Sequence, residues 1–333
     1  MTATAHGLLL VDKPAGVTSH DVVAWARRVF GQREAGHAGT LDPMATGLLV
    51  VLLGEATKLS AYLTGDGKAY LATVSFGAST DTLDADGVVT QTTDAPLPSR
   101  AALERALAGM VGPIEQVPPA VSAIKLAGVA MHERVRRGES PTLEPRSVVL
   151  EAARVITAEG ASCEIDLECS KGFYVRALAR DLAALLGTLG HLTALRRTRS
   201  GPFTVDEAFP GARLRAGARE GDGAAREAAH AALLPVGRAS RSMKVLTVNE
   251  ADSLALSQGK RLASTEPDGV SLVVREETPD RPVCIGEARD GVLRSARGFA
   301  LRKPGWTAAR KRSCWWRMRR TCGGSPPKAC GGW

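Results

Sequence analysis

Cys163-Glu164-Ile165-Asp166-Leu167-Glu168-Cys169 alternates apolar and acidic residues, and Ser170-Lys171-Gly172-Phe173-Tyr174 carries it straight into Val175-Arg176-Ala177-Leu178-Ala179. A period of two marks a strand with one buried face. Val175, Leu178, Ala179, Leu182, Leu185 and Leu186 then follow the period of an amphipathic helix. Cys163 and Cys169 fall on the apolar phase and read as small core residues.

The same two periods recur on either side. Gly7 to Val11 reads as a strand closed by Lys13-Pro14-Ala15-Gly16. Thr18 or Ser19 can cap a helix striped by Val22, Ala26, Val29 and Phe30, with Gly31 suited to its C′ position. Leu48–Leu53 is an apolar, strand-sized run. Tyr70, Ala72, Val74 and Phe76 alternate as a strand, and Leu103, Ala106, Leu107 and Met110 mark a helix after Ser99. Ala212 to Ser240 reads as helical fragments grading into a linker. Beyond it lie a strand at Met243–Val248, a helix capped by Asn249, and strands near Ser271–Val274, Val283–Ala288 and Val292–Ala296. Strands and helices mix without a βαβ rhythm, so the fold class is α+β. We expect three segments: a main α+β domain over 1–240, a small β-rich domain over 241–302, and a basic tail over 303–333 without a fixed fold.

Composition narrows the classes further. The 333 residues are 44% apolar, 23% charged and 4% aromatic, which excludes a wholly disordered chain, a collagen and a disulfide scaffold. No apolar run approaches the roughly 20 residues of a membrane span, and Met1 to Gly7 lacks the pattern of a secretory signal. A cytoplasmic protein with no membrane association is the expectation. The formal charge of +8 belongs to residues 302–333, which hold nine of the 43 Lys and Arg and none of the 35 acids. Residues 1–301 are left with 34 basic and 35 acidic groups. Overall charge is therefore no argument for a nucleic-acid partner; specific residues must carry it. The six cysteines form no CxxC pair, and no metal is expected.

Chemistry concentrates in Gly36-His37-Ala38-Gly39-Thr40-Leu41-Asp42-Pro43. Pro43 holds Asp42 out of the α region, and Gly39 and Gly47 let the loop bend sharply and admit a ligand near the backbone. A lone Asp-Pro is an ordinary turn. Here His37, Thr40 and Asp42 crowd into six residues between two apolar elements. Tyr70 and Tyr174, two of only three tyrosines, each read as core residues; beside such a loop they would make a stacking surface for a base. Arg176 lies off the apolar stripe, by position a surface arginine. Were the junction to face Asp42, its guanidinium would keep the carboxylate ionised and aimed. Asp81, Asp84 and Asp86 resemble a calcium loop superficially, but the twelfth position counted from Thr82 is Thr93 rather than glutamate. A solvated acidic turn and a supporting role near the site both remain open.

Gly36 through Leu49 resembles the catalytic motif of the TruB family of tRNA pseudouridine-55 synthases. Asp12-Lys13-Pro14-Ala15-Gly16-Val17-Thr18-Ser19 is similar to the family's N-terminal segment, as are Lys68-Ala69-Tyr70 and Thr80 through Gly87 to the segments that follow. Gln116-Val117-Pro118-Pro119, Ser122-Ala123-Ile124-Lys125, Ser170 through Arg176 and His191 through Arg197 extend the match in order. The module over 243–301 is similar, more weakly, to the family's PUA-type RNA-binding domain.

The resemblance implies a catalytic domain on a mixed, mainly antiparallel sheet flanked by helices, with a PUA-like C-terminal domain. It implies conversion of uridine 55 in the T stem-loop of tRNA to pseudouridine, with no cofactor, no metal and no obligatory protein partner. Asp42 would be the catalytic aspartate and Arg176 its partner. Tyr70 and Tyr174 would hold the base, Leu195 would wall the pocket, and His37 would fill the space left by the extruded nucleotide. After Gly128 the family's basic residues and tyrosine are replaced by Val129-Ala130-Met131-His132, with Arg134, Arg136 and Arg137 as other cations. Three other readings stay open: a guide-dependent synthase of the same superfamily, a tRNA-binding chaperone, and a glycosidase pairing Asp42 with Asp84.

Overall fold

A computed structural model describes residues 4–120, 125–126, 129–130, 143–219 and 222–301. The tail and the arginines at 134, 136 and 137 lie outside the described residues. In chain order the strands are β1 (Gly7–Lys13), β2 (Ala35–Ala38), β3 (Thr46–Leu53), β4 (Lys68–Phe76), β5 (Ala78–Thr80) and β6 (Val89–Thr92). Next come β7 (Gly112–Gln116), β8 (Lys125–Leu126), β9 (Val129–Ala130), β10 (Arg146–Glu159), β11 (Ser162–Cys169), β12 (Gly190–Ser200), β13 (Phe203–Thr204) and β14 (Phe209–Pro210). The last five are β15 (Val245–Val248), β16 (Leu262–Ala263), β17 (Gly269–Arg275), β18 (Cys284–Arg289) and β19 (Val292–Gly298).

The main sheet runs β14-β1-β3-β12-β4-β11-β10-β7, with β2 added to β3 and β13 to β12. Only β1/β14 and β12/β3 pair in parallel; the other ladders are antiparallel. The sheet is mixed and mainly antiparallel, as the family resemblance implies.

Alternation along its strands follows from what covers each face. Leu9, Val11, Leu49, Val51 and Leu53 join a core with the helices Ser19–Phe30, Arg100–Met110 and Val175–Leu185. Leu8, Leu10, Leu48, Val50 and Leu52 point the other way, into a second core with Leu59, Leu63 and Phe203. Covered on both sides, β1 over residues 8–11 and β3 over residues 48–53 must be apolar at every position, which is why neither run shows a period of two. On β11, Glu164, Asp166 and Glu168 occupy the uncovered face, and the alternation there is clean.

Helix starts follow local chemistry. Thr18 forms a reciprocal capping box with Asp21, and the Ser99 and Asn249 side chains accept from main-chain N–H groups three residues on. The stretch expected to grade into a linker is packed instead. Helices Gly211–Gly217 and Gly223–Ala231 bury Leu214 and Ala229 in the first core, and the turn Val236–Arg241 buries Val236 and Ala239 in the second. Small side chains gave no long apolar stripe, yet suffice where backbones approach closely.

The C-terminal sheet has order β15-β17-β18-β19-β16. Val273, Cys284, Ala288 and Leu293 pack on Leu256 of the helix Glu250–Ser257. Leu272, Val274 and Ile285 join the second core of the main sheet. Among the described residues no helix is long and apolar enough to cross a membrane.

Candidate active site

The adjacent strands β3, β12, β4 and β11 bring four distant segments together at one end of the sheet. The loop carrying Asp42 enters β3 through Gly47, which pairs with Arg197 of β12; Arg197 in turn pairs with Tyr70 of β4, and Tyr70 with Leu167 of β11. β11 leaves the sheet through Ser170–Tyr174 into the helix that starts with Val175 and Arg176.

Every neighbour of Asp42 is anchored. The Ser19 hydroxyl accepts from the Leu41 N–H at 2.9 Å and donates to the Leu41 carbonyl at 3.1 Å. Lys13 is fully buried, and its Nζ donates to the carbonyls of Pro14 (3.1 Å), Val17 (2.7 Å) and Pro43 (3.1 Å). Gly39 and Gly47 bound the loop at φ +93° and +97°, left-handed values that a side chain would strain. A Cβ at Gly47 would lie 2.3 Å from the Arg197 carbonyl oxygen.

Arg176 is not on the surface. Its side chain is 5% exposed, with Nε 2.9 Å from Asp42 Oδ2, and Nη1 both 3.3 Å from Asp84 Oδ2 and 2.9 Å from the Thr82 carbonyl. The first turn of its helix faces the 80–87 loop rather than solvent, and the main-chain bond from Leu192 to Leu83 holds that loop in place. Asp84, 6% exposed, also accepts from the Thr82 hydroxyl at 2.6 Å and the Asp86 N–H at 3.1 Å. Of its two readings, the acidic turn thus takes the supporting one: it holds the guanidinium that meets Asp42.

Asp42 and Arg176 wall a cleft of about 290 Å³ with Tyr70, Tyr174, Leu195, Lys68 and Arg197, near the lower end of the range for small-ligand pockets. The buried Gln116 amide clamps the Tyr174 backbone, accepting from its N–H at 2.8 Å and donating to its carbonyl at 3.1 Å. Five of the six expected site residues, Asp42, Tyr70, Tyr174, Arg176 and Leu195, therefore share one cavity. His37 stands apart from that lining on β2, its ring edge-on to His20 at 5.6 Å.

The Asp42 side chain keeps 33% of its surface open, yet burial outweighs the Arg176 guanidinium and raises its carboxyl above the ordinary value. The sequence had suggested the reverse balance. Burial likewise raises the Tyr70 phenol, and lowers His37 to about 4, which leaves a neutral imidazole. Lys13 and Lys68, both desolvated, fall to about 8. Any reaction that needs the Asp42 carboxylate should lose rate as pH falls, on an acid limb lying above that of an ordinary aspartate. Single-turnover rates from pH 4 to 8 check this, with Asp84→Asn as the control: removing the neighbouring negative charge should move the limb down.

Sequence reading passed over Lys13, Lys68 and Arg197 as site residues. Lys68 is 6% exposed and directs its ammonium at the carbonyls of Thr64 and Asp66. Arg197 carried one usable signal: it shares strand phase with Leu195, so it points inward.

A sequence model described as “TruB family pseudouridylate synthase (N terminal domain)” matches residues 27–175, and one described as “tRNA pseudouridylate synthase B C-terminal domain” matches 176–239. The chain is 44% identical over 301 residues to the tRNA pseudouridine synthase B of Corynebacterium efficiens, covering 86% of this chain and 97% of that one. It is 44% identical over 281 residues to the protein of that name from Cutibacterium acnes, covering 83% and 92%. Among solved structures, an H/ACA RNP bound to a substrate RNA containing 2′-deoxyuridine superposes at TM-score 0.66 with 22% identity, over 89% of this chain and 86% of that one, a likeness of fold.

Proposed function

This chain belongs to the TruB family of pseudouridylate synthases, and we propose that it converts uridine 55 in the T-loop of tRNA to pseudouridine with Asp42 as the reacting carboxylate. The observation that carries the reading is the Arg176–Asp42 contact of 2.9 Å on the wall of a cleft flanked by two tyrosines.

The reaction is an isomerisation. The C1′–N1 bond breaks, a C1′–C5 bond forms, the C5 proton leaves and N1 regains one, with no net change in oxidation state. A carboxylate beside the sugar and base provides the negative oxygen such a cleavage needs, as nucleophile or as counter-charge. A stacked uridine cannot enter a cleft of this size, so the nucleotide is flipped out. Tyr70 and Tyr174 then flank the base, and Leu195 closes the apolar side. Tyr70 acts as a neutral phenol, since burial keeps it protonated. His37, neutral and outside the cleft lining, stands in for the extruded nucleotide in the RNA. Asp84 is engaged by Thr82, Asp86 and Arg176, which argues against a second reactive carboxylate of the glycosidase kind.

Residues 1–240 form the catalytic domain in this reading, and 241–302 a PUA-like RNA-binding module. The enzyme works in the cytoplasm on tRNA without a guide RNA or protein partner.

Purified protein and an unmodified tRNA transcript test it directly. We expect one pseudouridine, at the T-loop uridine, with tritium released from C5-labelled uridine and no added RNA, protein or cofactor. Free uracil as product, or dependence on a guide RNA, would overturn the assignment.

A further inference from the structure

Arg197 is 1% exposed, one of the largest fully buried side chains in the protein. Its guanidinium is directed at main chain. Nε donates to the Leu48 carbonyl at 2.7 Å, Nη2 to Gly39 at 3.1 Å and Nη1 to Thr40 at 3.4 Å. Those three carbonyls lie on the two sides of Asp42. The same guanidinium reaches the Tyr70 hydroxyl, and its own backbone pairs with both Gly47 and Tyr70. One side chain thus ties both ends of the aspartate loop to the strand carrying the tyrosine.

We propose that Arg197 is a positioning residue for the isomerisation: it sets the distance between the Asp42 carboxylate and the base held at Tyr70. The inference rests on the reading of Asp42 and Tyr70 given above. A planar five-donor fork suits this task and an ammonium does not. Lysine at this position can satisfy one of the three carbonyls and releases the others, so the loop relaxes while the charge remains. Misplacement of reacting groups by about 1 Å costs on the order of 100-fold in rate without touching affinity. The glycines agree with this view. Gly39 places its absent Cβ 3.5 Å from Nη1, and Gly47 lets the loop press against the Arg197 backbone.

The test is Arg197→Lys, assayed for single-turnover rate, tRNA affinity and melting temperature. We expect a rate about 100-fold lower at saturating tRNA, with affinity within about threefold of the parent. The acid limb should keep its pH while the plateau falls, because the role is geometric. Gly39→Ala disturbs the same mooring from the loop side and should give the same split, which covers a lysine variant that fails to fold. An unchanged rate in folded variants, or a loss confined to affinity, overturns the proposal. Asp42→Asn run in parallel separates the two claims. If that variant turns over, the reading of the site fails; if it is dead while Arg197→Lys is fully active, only the role of Arg197 fails.

Discussion

Asp42→Asn is expected to abolish pseudouridine formation, by at least about 10⁴-fold, while tRNA binding stays within about threefold of the parent. Asparagine keeps the shape of the side chain and a hydrogen-bond acceptor for Arg176 Nε, so the cleft and its RNA contacts persist. What disappears is the negative oxygen, the one feature the bond rearrangement needs. The variant also tests how the fold tolerates its own active site. Because burial raises the Asp42 carboxyl, the folded state binds that proton more tightly than the unfolded state does. Stability therefore declines as pH rises from the ordinary carboxylate value through the raised one, and the cost persists at neutral pH. Asparagine carries no such cost. At pH 7 its melting temperature should equal or exceed that of the parent, and the difference should vanish in acid. A clear fall at pH 7 would mean that the pair with Arg176 stabilises the fold outright.

Local signals wrote much of this structure plainly. Alternation on β11, the stripe of Val175 to Leu182, and the caps at Thr18, Ser99 and Asn249 all arise within a few residues of chain, and each stands where the sequence puts it. The aspartate loop was legible for a related reason: proline and two glycines state its backbone directly. Other features depend on partners far along the chain. β2 lies in a stretch with no strand period, and becomes a strand because the edge of β3 is there to pair with it. The burial of Lys13, Lys68 and Arg197 is invisible in composition. Each is held by main-chain carbonyls, and a carbonyl acceptor leaves no trace in the identity of the residue that offers it. Arg176 misled for the same reason, since the stripe of its own helix says nothing about the 80–87 loop that covers it.

Replacing Arg176 should damage stability and rate together, and the two effects can be separated. With the guanidinium gone, Asp84 is left almost fully buried beside Asp42, two carboxylates without the cation between them. Removing one member of a buried pair costs about 3–5 kcal/mol, so Arg176→Ala should melt well below the parent. Like charges in such a setting do not both ionise near neutral pH. Asp42 should then hold its proton to higher pH, and the acid limb of the rate should move upward, with a plateau roughly 100-fold or more below the parent. Adding Asp84→Asn to Arg176→Ala removes the uncompensated charge. The double variant should recover much of the lost stability and return the acid limb toward the parent, yet leave the plateau low, because nothing then aims the Asp42 carboxylate. Affinity for tRNA should stay within a few-fold throughout, since Arg176 faces two carboxylates and a carbonyl inside the protein. Loss of affinity with an unchanged rate at saturation would make Arg176 an RNA clamp. Full recovery of rate in the double variant would show that its part was electrostatic alone.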